Sequence, residues 1–134
     1  MTLEVHLVTP EREVWAGMAD MLIAHGVDGD VGILGGHAPL LVQLAIGVVK
    51  IHLESGEQLE AVVDGGFLHV GTHDGVTRAD VLAAQAELRE EIDVEAARAA
   101  VARLQNHDTL LAEAEMAAAR VELQKALARV NLAG

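Results

Sequence analysis

Seven histidines stand among the side chains able to do chemistry, and two of them, His69 and His73, are four apart with Asp74 next to the second. On a helix the spacing of that pair would aim both imidazoles at one metal ion. Gly71 and Gly75 place it instead at a strand end, where convergence is not built in. A β-barrel metalloenzyme would usually supply His-x-His along one strand, and no such pair occurs. Ser55, the only serine, lies in Glu54-Ser-Gly-Glu57 without a Gly-x-Ser-x-Gly elbow. Lys50 and Lys125 are the only lysines, and neither follows the glycines of a phosphate loop. Gly29-x-x-Gly32-x-x-Gly35 has neither dinucleotide spacing nor a βαβ setting. The absence of cysteine removes disulfides and thiolate catalysis. A metal-dependent β-domain enzyme using His69, His73 and Asp74 is therefore a remote reading, and the acidic runs read as solvated faces.

The elements that would position these groups fall into two parts. Twelve of the 13 glycines lie at or before Gly75, and both prolines lie before position 40. Over the same region Leu3, Val5 and Leu7 alternate with Glu4 and His6, the period of a half-buried strand. Thr9-Pro10-Glu11-Arg12 turns the chain into Val14-Trp15. Met21–Ala24 is a short apolar run ended by Gly26, and Val27–Leu41 is a glycine-rich bend region. Gly47–Leu53 reads as a strand, Glu54–Glu57 as a hairpin turn and Leu59–Val63 as the return. Asp64-Gly65-Gly66 reads as a further turn before Phe67–Val70, and Gly71–Gly75 as a last bend before Val76–Val81. Strands at this spacing predict a sandwich or flattened barrel.

From position 84 onward the composition is that of helix formers. Asp93 is placed to cap a helix from Val94, with Glu95 in its first turn. Val94, Ala97, Val101 and Leu104 form one stripe. Asn106-His-Asp-Thr109 interrupts it, with Asp108 or Thr109 available as the next cap. A second helix, from about Leu110 to Leu132, presents Leu111, Ala114, Ala118 and Val121 beside Leu123, Leu127 and Val130. The fold class is α+β: an antiparallel β-sandwich over residues 1–83, then an antiparallel two-helix hairpin over residues 84–134. The hairpin's contact faces are largely alanine, and a buried methyl contributes only about 0.8 kcal/mol. Such a hairpin docks weakly, and composition leaves open whether it is fixed or able to leave.

The formal charge of −12 disfavours nucleic acid, whose phosphates require Lys and Arg, and equally an anionic lipid surface. Met1–Leu7 lacks the pattern of a signal peptide. The apolar run Ala38–Val49 is too short to span a bilayer and is interrupted by Pro39, Gln43 and Gly47. The expectation is a soluble chain that meets a membrane only through a partner.

Residues 29–40, Gly-Asp-Val-Gly-Ile-Leu-Gly-Gly-His-Ala-Pro-Leu, resemble the Gly-Glu-x-Gly-Ile-Leu-Pro-Gly-His-Ala-Pro-Leu signature of the epsilon subunit of F-type ATP synthase. Three further segments match in order: Leu7-Val-Thr-Pro-Glu-Arg12, Val63-Asp-Gly-Gly-Phe67, and Glu90-Glu-Ile-Asp93 after Val76–Asp80. Gly35 replaces the signature's proline, and His25-Gly26 replaces the usual Pro-Gly. The resemblance implies a non-catalytic rotor subunit whose sandwich joins the gamma subunit to the membrane c-ring, so that proton-driven torque reaches the catalytic head. It places Asp30 and His37 towards those rotor partners, although packing of a turn is the favoured role for His37. It further implies a peripheral location at the cytoplasmic face of the plasma membrane, or the stromal face of the thylakoid. In bacterial relatives the hairpin can extend along gamma, meet the alpha and beta subunits and block ATP hydrolysis. Arg89, Arg98, Arg103, Arg120 and Arg129 would be drawn to acidic segments there. Some relatives bind ATP through Ile/Leu-Asp-x-x-Arg-Ala. Ile92-Asp93 matches, but Ala96 stands where the arginine should be, removing a bidentate phosphate donor. Glu87, Asp93 and Arg103 remain as a weak site at most, so no cofactor is expected. A nucleotide-sensing regulator is the second reading.

Overall fold

The computed structural model describes residues 2–105 and 113–133, with side chains from residue 118 onward in the second helix. Among the described residues eight strands run β1 (Leu3–Val8), β2 (Glu13–Ala19), β3 (Met21–Gly26), β4 (Gly29–Leu34), β5 (Leu40–His52), β6 (Gln58–His73), β7 (Val76–Leu82) and β8 (Ala86–Leu88). A 3₁₀ turn, Arg89–Glu91, leads to α1 (Val94–Gln105) and α2 (Glu113–Ala133). The bonded strand order is β2-β1-β7-β6-β5-β3-β4, with β8 also on β6. All neighbours are antiparallel except β1 and β7.

Two long strands make the sandwich. The second half of β6 pairs with β7, while its first half pairs with β8. β5 follows β6 along nearly its whole length and then meets β3. One layer thus holds β2, β1 and β7, the other β8, β3 and β4, and β5 and β6 pass through both. The inward series changes parity along the way. On β6, Ala61 and Val63 face the core, and then so do Leu68 and Val70; on β5, Leu44 is followed by Val49 and Ile51. The flip on β6 falls at Gly65 and Gly66, whose φ angles of 86° and 126° are closed to ordinary L-residues. Asp64-Gly65-Gly66 is therefore not a turn between two short strands. It is a twist within a single strand of 16 residues.

A second reading needs the same kind of correction. Within the glycine-rich region, Gly29–Leu34 is a strand, because Val31 and Ile33 alternate with residues that tolerate solvent and pair back onto Ala24 and Leu22. The hairpin between β6 and β7 turns on Asp74 and Gly75 at φ 50° and 77°, the paired positive angles that match strand twist.

The core is Val, Leu, Ile and Ala, as the composition requires. The sheet runs past position 83, since Ala86–Leu88 pairs with Ala61–Val63. Asp93 caps α1: its Oδ1 accepts the Ala96 N–H at 3.0 Å, and its carbonyl accepts the Ala97 N–H. Ala97 is buried, and Val94, Val101 and Leu104 are partly buried along the expected stripe. The expected break at Asn106–Thr109 and the side chains of Leu111 and Ala114 lie outside the described residues. On α2 part of the expected face is rotated: Ala118 and Val121 are exposed, while Leu123, Leu127 and Val130 turn inward as expected, joined by Ala119 and Ala126. That rotation follows the partner, because α2 packs on both α1 and the β5–β6 ribbon.

Candidate functional site

Helix α2 lies on the outer face of the first half of β6. Val62 projects there, opposite in parity to Ala61 and Val63, and is fully buried although it is absent from the sandwich core. Asp64, two positions further along, shares that face, and β8 sets Glu87 across from Val62. Into this corner comes Arg129 from the last turns of α2. Its Nε donates to Glu87 Oε1 at 2.5 Å and its Nη2 to Asp64 Oδ2 at 3.0 Å. Nη1 donates to the Lys125 carbonyl at 3.0 Å and lies 2.9 Å from Asp64 Oδ1. The guanidinium thus bridges two carboxylates from two strands, the use for which a planar fork is suited.

Burial makes this clasp different from a surface pair. The Asp64 side chain is 1% exposed, that of Arg129 14% and that of Glu87 34%. Burial by itself works against the charge on Arg129. Hydrogen bonds and attraction from Asp64 and Glu87 outweigh it and raise the Arg129 pKa, so the side chain is a cation at any working pH.

Beside the clasp, α1, α2 and the sandwich enclose a cleft of about 300 Å³. Asp93 at the start of α1 and Arg129 near the end of α2 line it together, as an antiparallel pair requires. Its acidic side chains are Asp64, Glu87, Asp93 and Glu122; its basic ones are Arg103, Lys125 and Arg129. Ala96 and Ala100 contribute methyl groups. The structure therefore gathers Glu87, Asp93 and Arg103 into one cleft, with Glu87 held by Arg129 and Asp93 occupied as a helix cap.

Asp30 and His37 do not share a loop. Asp30 opens β4, where its Oδ1 lies 2.5 Å from Nδ1 of His25 on β3. His37 belongs to the bend before Pro39; its Nδ1–H donates to the Ala38 carbonyl at 2.7 Å, since a carbonyl can only accept. The bend is fastened to β7 by the Gly36 N–H, which donates to the buried Thr77 hydroxyl at 2.6 Å. His69 and His73 lie on one strand, where the rise separates them by about 13 Å, and among the described residues no group of three metal-ligating side chains occurs. A second tie, Arg12 to Glu91 at 2.6 Å, fixes the β1–β2 turn to the 3₁₀ segment. The Leu88 N–H and Arg12 both favour the charged form of Glu91 and hold its pKa below the usual value.

Sequence reading missed the clasp itself. Arg129 is one of the arginines that the resemblance assigns to an extended hairpin, and in the sequence Asp64 reads as a turn residue. The available signal was a lone acid before two glycines, pointing at the same face as an apolar Val62.

Fold and clasp define a class of protein: a β-sandwich that carries a helical hairpin on its flank through an arginine–carboxylate bridge. The profile described as the ATP synthase, delta/epsilon chain, beta-sandwich domain matches residues 2–89, and the chain belongs to the ATP synthase delta/epsilon chain family. It is 48% identical over 134 residues to the ATP synthase epsilon chain of Thermobifida fusca, covering 98% of this chain and 91% of that one. It is 33% identical over 133 residues to the epsilon chain of Bacillus pumilus, covering 99% and 98%. Among solved structures, the fold matches a chain of the Euglena gracilis mitochondrial ATP synthase OSCP/F1/c-ring assembly with TM-score 0.78 and 24% identity, covering 92% and 76%. A chain of the Tetrahymena thermophila mitochondrial ATP synthase central stalk and c-ring matches with TM-score 0.66 and 20% identity, covering 98% and 96%. These two likenesses bear on fold alone.

Proposed function

We propose that the chain is the non-catalytic epsilon subunit of a bacterial-type or chloroplast-type rotor, with the sandwich joining the gamma subunit to the c-ring. In this reading it transmits torque during proton-driven ATP synthesis at the cytoplasmic or stromal face of the membrane. The carrying observation is whole-chain similarity to the Thermobifida epsilon chain, which spans both the sandwich and the hairpin. No helix of the described residues is long and apolar enough to cross a membrane, in keeping with attachment through partner subunits. Asp30, on an exposed hairpin of an acidic sandwich, is suited to meet positively charged c-ring loops. His37 serves chiefly to shape the adjoining bend.

The hairpin is the regulatory part of the proposal. Extended along gamma towards the alpha and beta subunits, it would obstruct rotation in the hydrolysis direction. ATP has no role in this reading. Ala96 offers no phosphate donor, Arg129 is committed to two carboxylates, and acids outnumber bases around the cleft. Co-expression with a gamma subunit, followed by ATPase assay of the assembled complex with full-length chain or with residues 1–88, tests both parts. Co-purification with gamma and faster hydrolysis after truncation are expected. Failure to bind gamma would refute the coupling role, and unchanged hydrolysis the inhibitory one.

A further inference from the structure

We infer that Arg129, Asp64 and Glu87 form a latch that holds the hairpin against the sandwich without any nucleotide. The inference rests on reading the hairpin as a separable arm. Three observations meet in it. The latch joins the last turns of α2 to two different strands, so it can persist only while α2 is docked. Asp64 is enclosed and depends on Arg129 for its counter-charge. The cleft alongside, where a nucleotide would have to lie, already contains more acids than bases and offers no uncommitted fork at Arg129. An internal carboxylate pair thus supplies the anion that a bound phosphate would otherwise bring.

The latch has an asymmetry that makes it testable. Losing one partner of a buried ion pair leaves the other charge uncompensated, whereas neutralising both removes the conflict. Releasing α2 exposes Asp64 to water and relieves the same conflict. Arg129→Gln should therefore expel the hairpin, and Asp64→Asn/Arg129→Gln should restore much of the docking. The salt bridge at Glu87 contributes less, because that side chain can turn to solvent.

Amide hydrogen exchange on the full-length isolated chain reads docking in α2, with β1 and β7 as internal controls. Arg129→Gln should lower α2 protection by about tenfold or more, with the controls unchanged and the double variant recovering most of the loss. Millimolar MgATP should change wild-type α2 protection by less than about twofold. Unchanged α2 protection in Arg129→Gln, a double variant worse than the single, or strong protection by MgATP would each overturn the latch. Should Arg129→Gln lower the controls equally, the double variant decides. Recovery of α2 protection in Asp64→Asn/Arg129→Gln supports the latch, and no recovery rejects it. Because no partner is present, this outcome is independent of the ATPase assay. A working latch with no hairpin effect on hydrolysis would remove the regulatory reading alone.

Discussion

Gly66→Ala is the substitution whose cost can be worked most directly from geometry. A Cβ built at Gly66 would stand 2.1 Å from the Leu82 carbonyl oxygen and 2.9 Å from the Ala83 Cα. Both obstacles are backbone, at the point where the chain passes from β7 towards β8, so neither can swing aside. The φ of 126° adds strain of about 1–3 kcal/mol. Displacing the crossing backbone adds an overpacking cost of about 1–3 kcal/mol. The sum, roughly 2–6 kcal/mol, is a large share of the ~5–15 kcal/mol that stabilises a typical domain. Gly56→Ala isolates the first part, because φ is 92° there but nothing lies within 4 Å of the added atom. Urea unfolding read by the single tryptophan, Trp15, separates the two. At an m-value of about 2 kcal/mol/M, Gly66→Ala should lower the midpoint by about 1–3 M, and Gly56→Ala by clearly less. Equal shifts would show that the Leu82–Ala83 crossing yields easily and would refute the account of the parity flip.

Two further predictions concern how the parts are joined. Val62→Ala removes buried methyls under α2 and should cost about 1–2 kcal/mol, with the loss of exchange protection concentrated in α2; equal loss in β1 and β7 would place Val62 in the sandwich core instead. Glu91 has a folded pKa below its ordinary value of 4.5, so its contribution is present above that value and fades as pH falls through the folded pKa. Being partly exposed, the Arg12–Glu91 tie contributes under about 1 kcal/mol. Unfolding midpoints from roughly pH 6 down to pH 3 should therefore fall slightly more steeply in wild type than in Glu91→Gln, and parallel curves would dismiss the tie.

What the sequence made legible follows the range over which each signal acts. Alternation at Leu3–Leu7, the Asp93 cap and the Val94–Leu104 stripe are local, and the structure has them where the periods place them. The glycines at 65 and 66 were seen but misread, because a turn and a strand twist both call for positive φ. Only the crossing strand at Leu82–Ala83 distinguishes them, and it is remote in sequence. The rotated face of α2 failed for a related reason. Alanine is apolar enough to fit several stripes, so the inward face is chosen by α1 and the β5–β6 ribbon. Of the candidate cleft, Glu87, Asp93 and Arg103 were named through the resemblance. The pairing of Arg129 with Asp64 depends on a fold that brings α2 back across β6.

That same ambiguity of alanine explains why a charged clasp belongs at this junction. The inward face of α2 is wholly apolar, mixing Ala119 and Ala126 with Leu123, Leu127 and Val130. Sliding α2 by one turn along its groove sets Leu127 in the place of Leu123 and Val130 in that of Ala126, so an apolar face still meets the groove. The same slide moves Arg129 about 5.4 Å, beyond reach of both Asp64 and Glu87. Arg129 then leaves Asp64 enclosed without its counter-charge, so every register but one is penalised. A buried ion pair adds little net stability compared with an apolar replacement. Its effect here is to select one seating for an arm that its own apolar face does not fix.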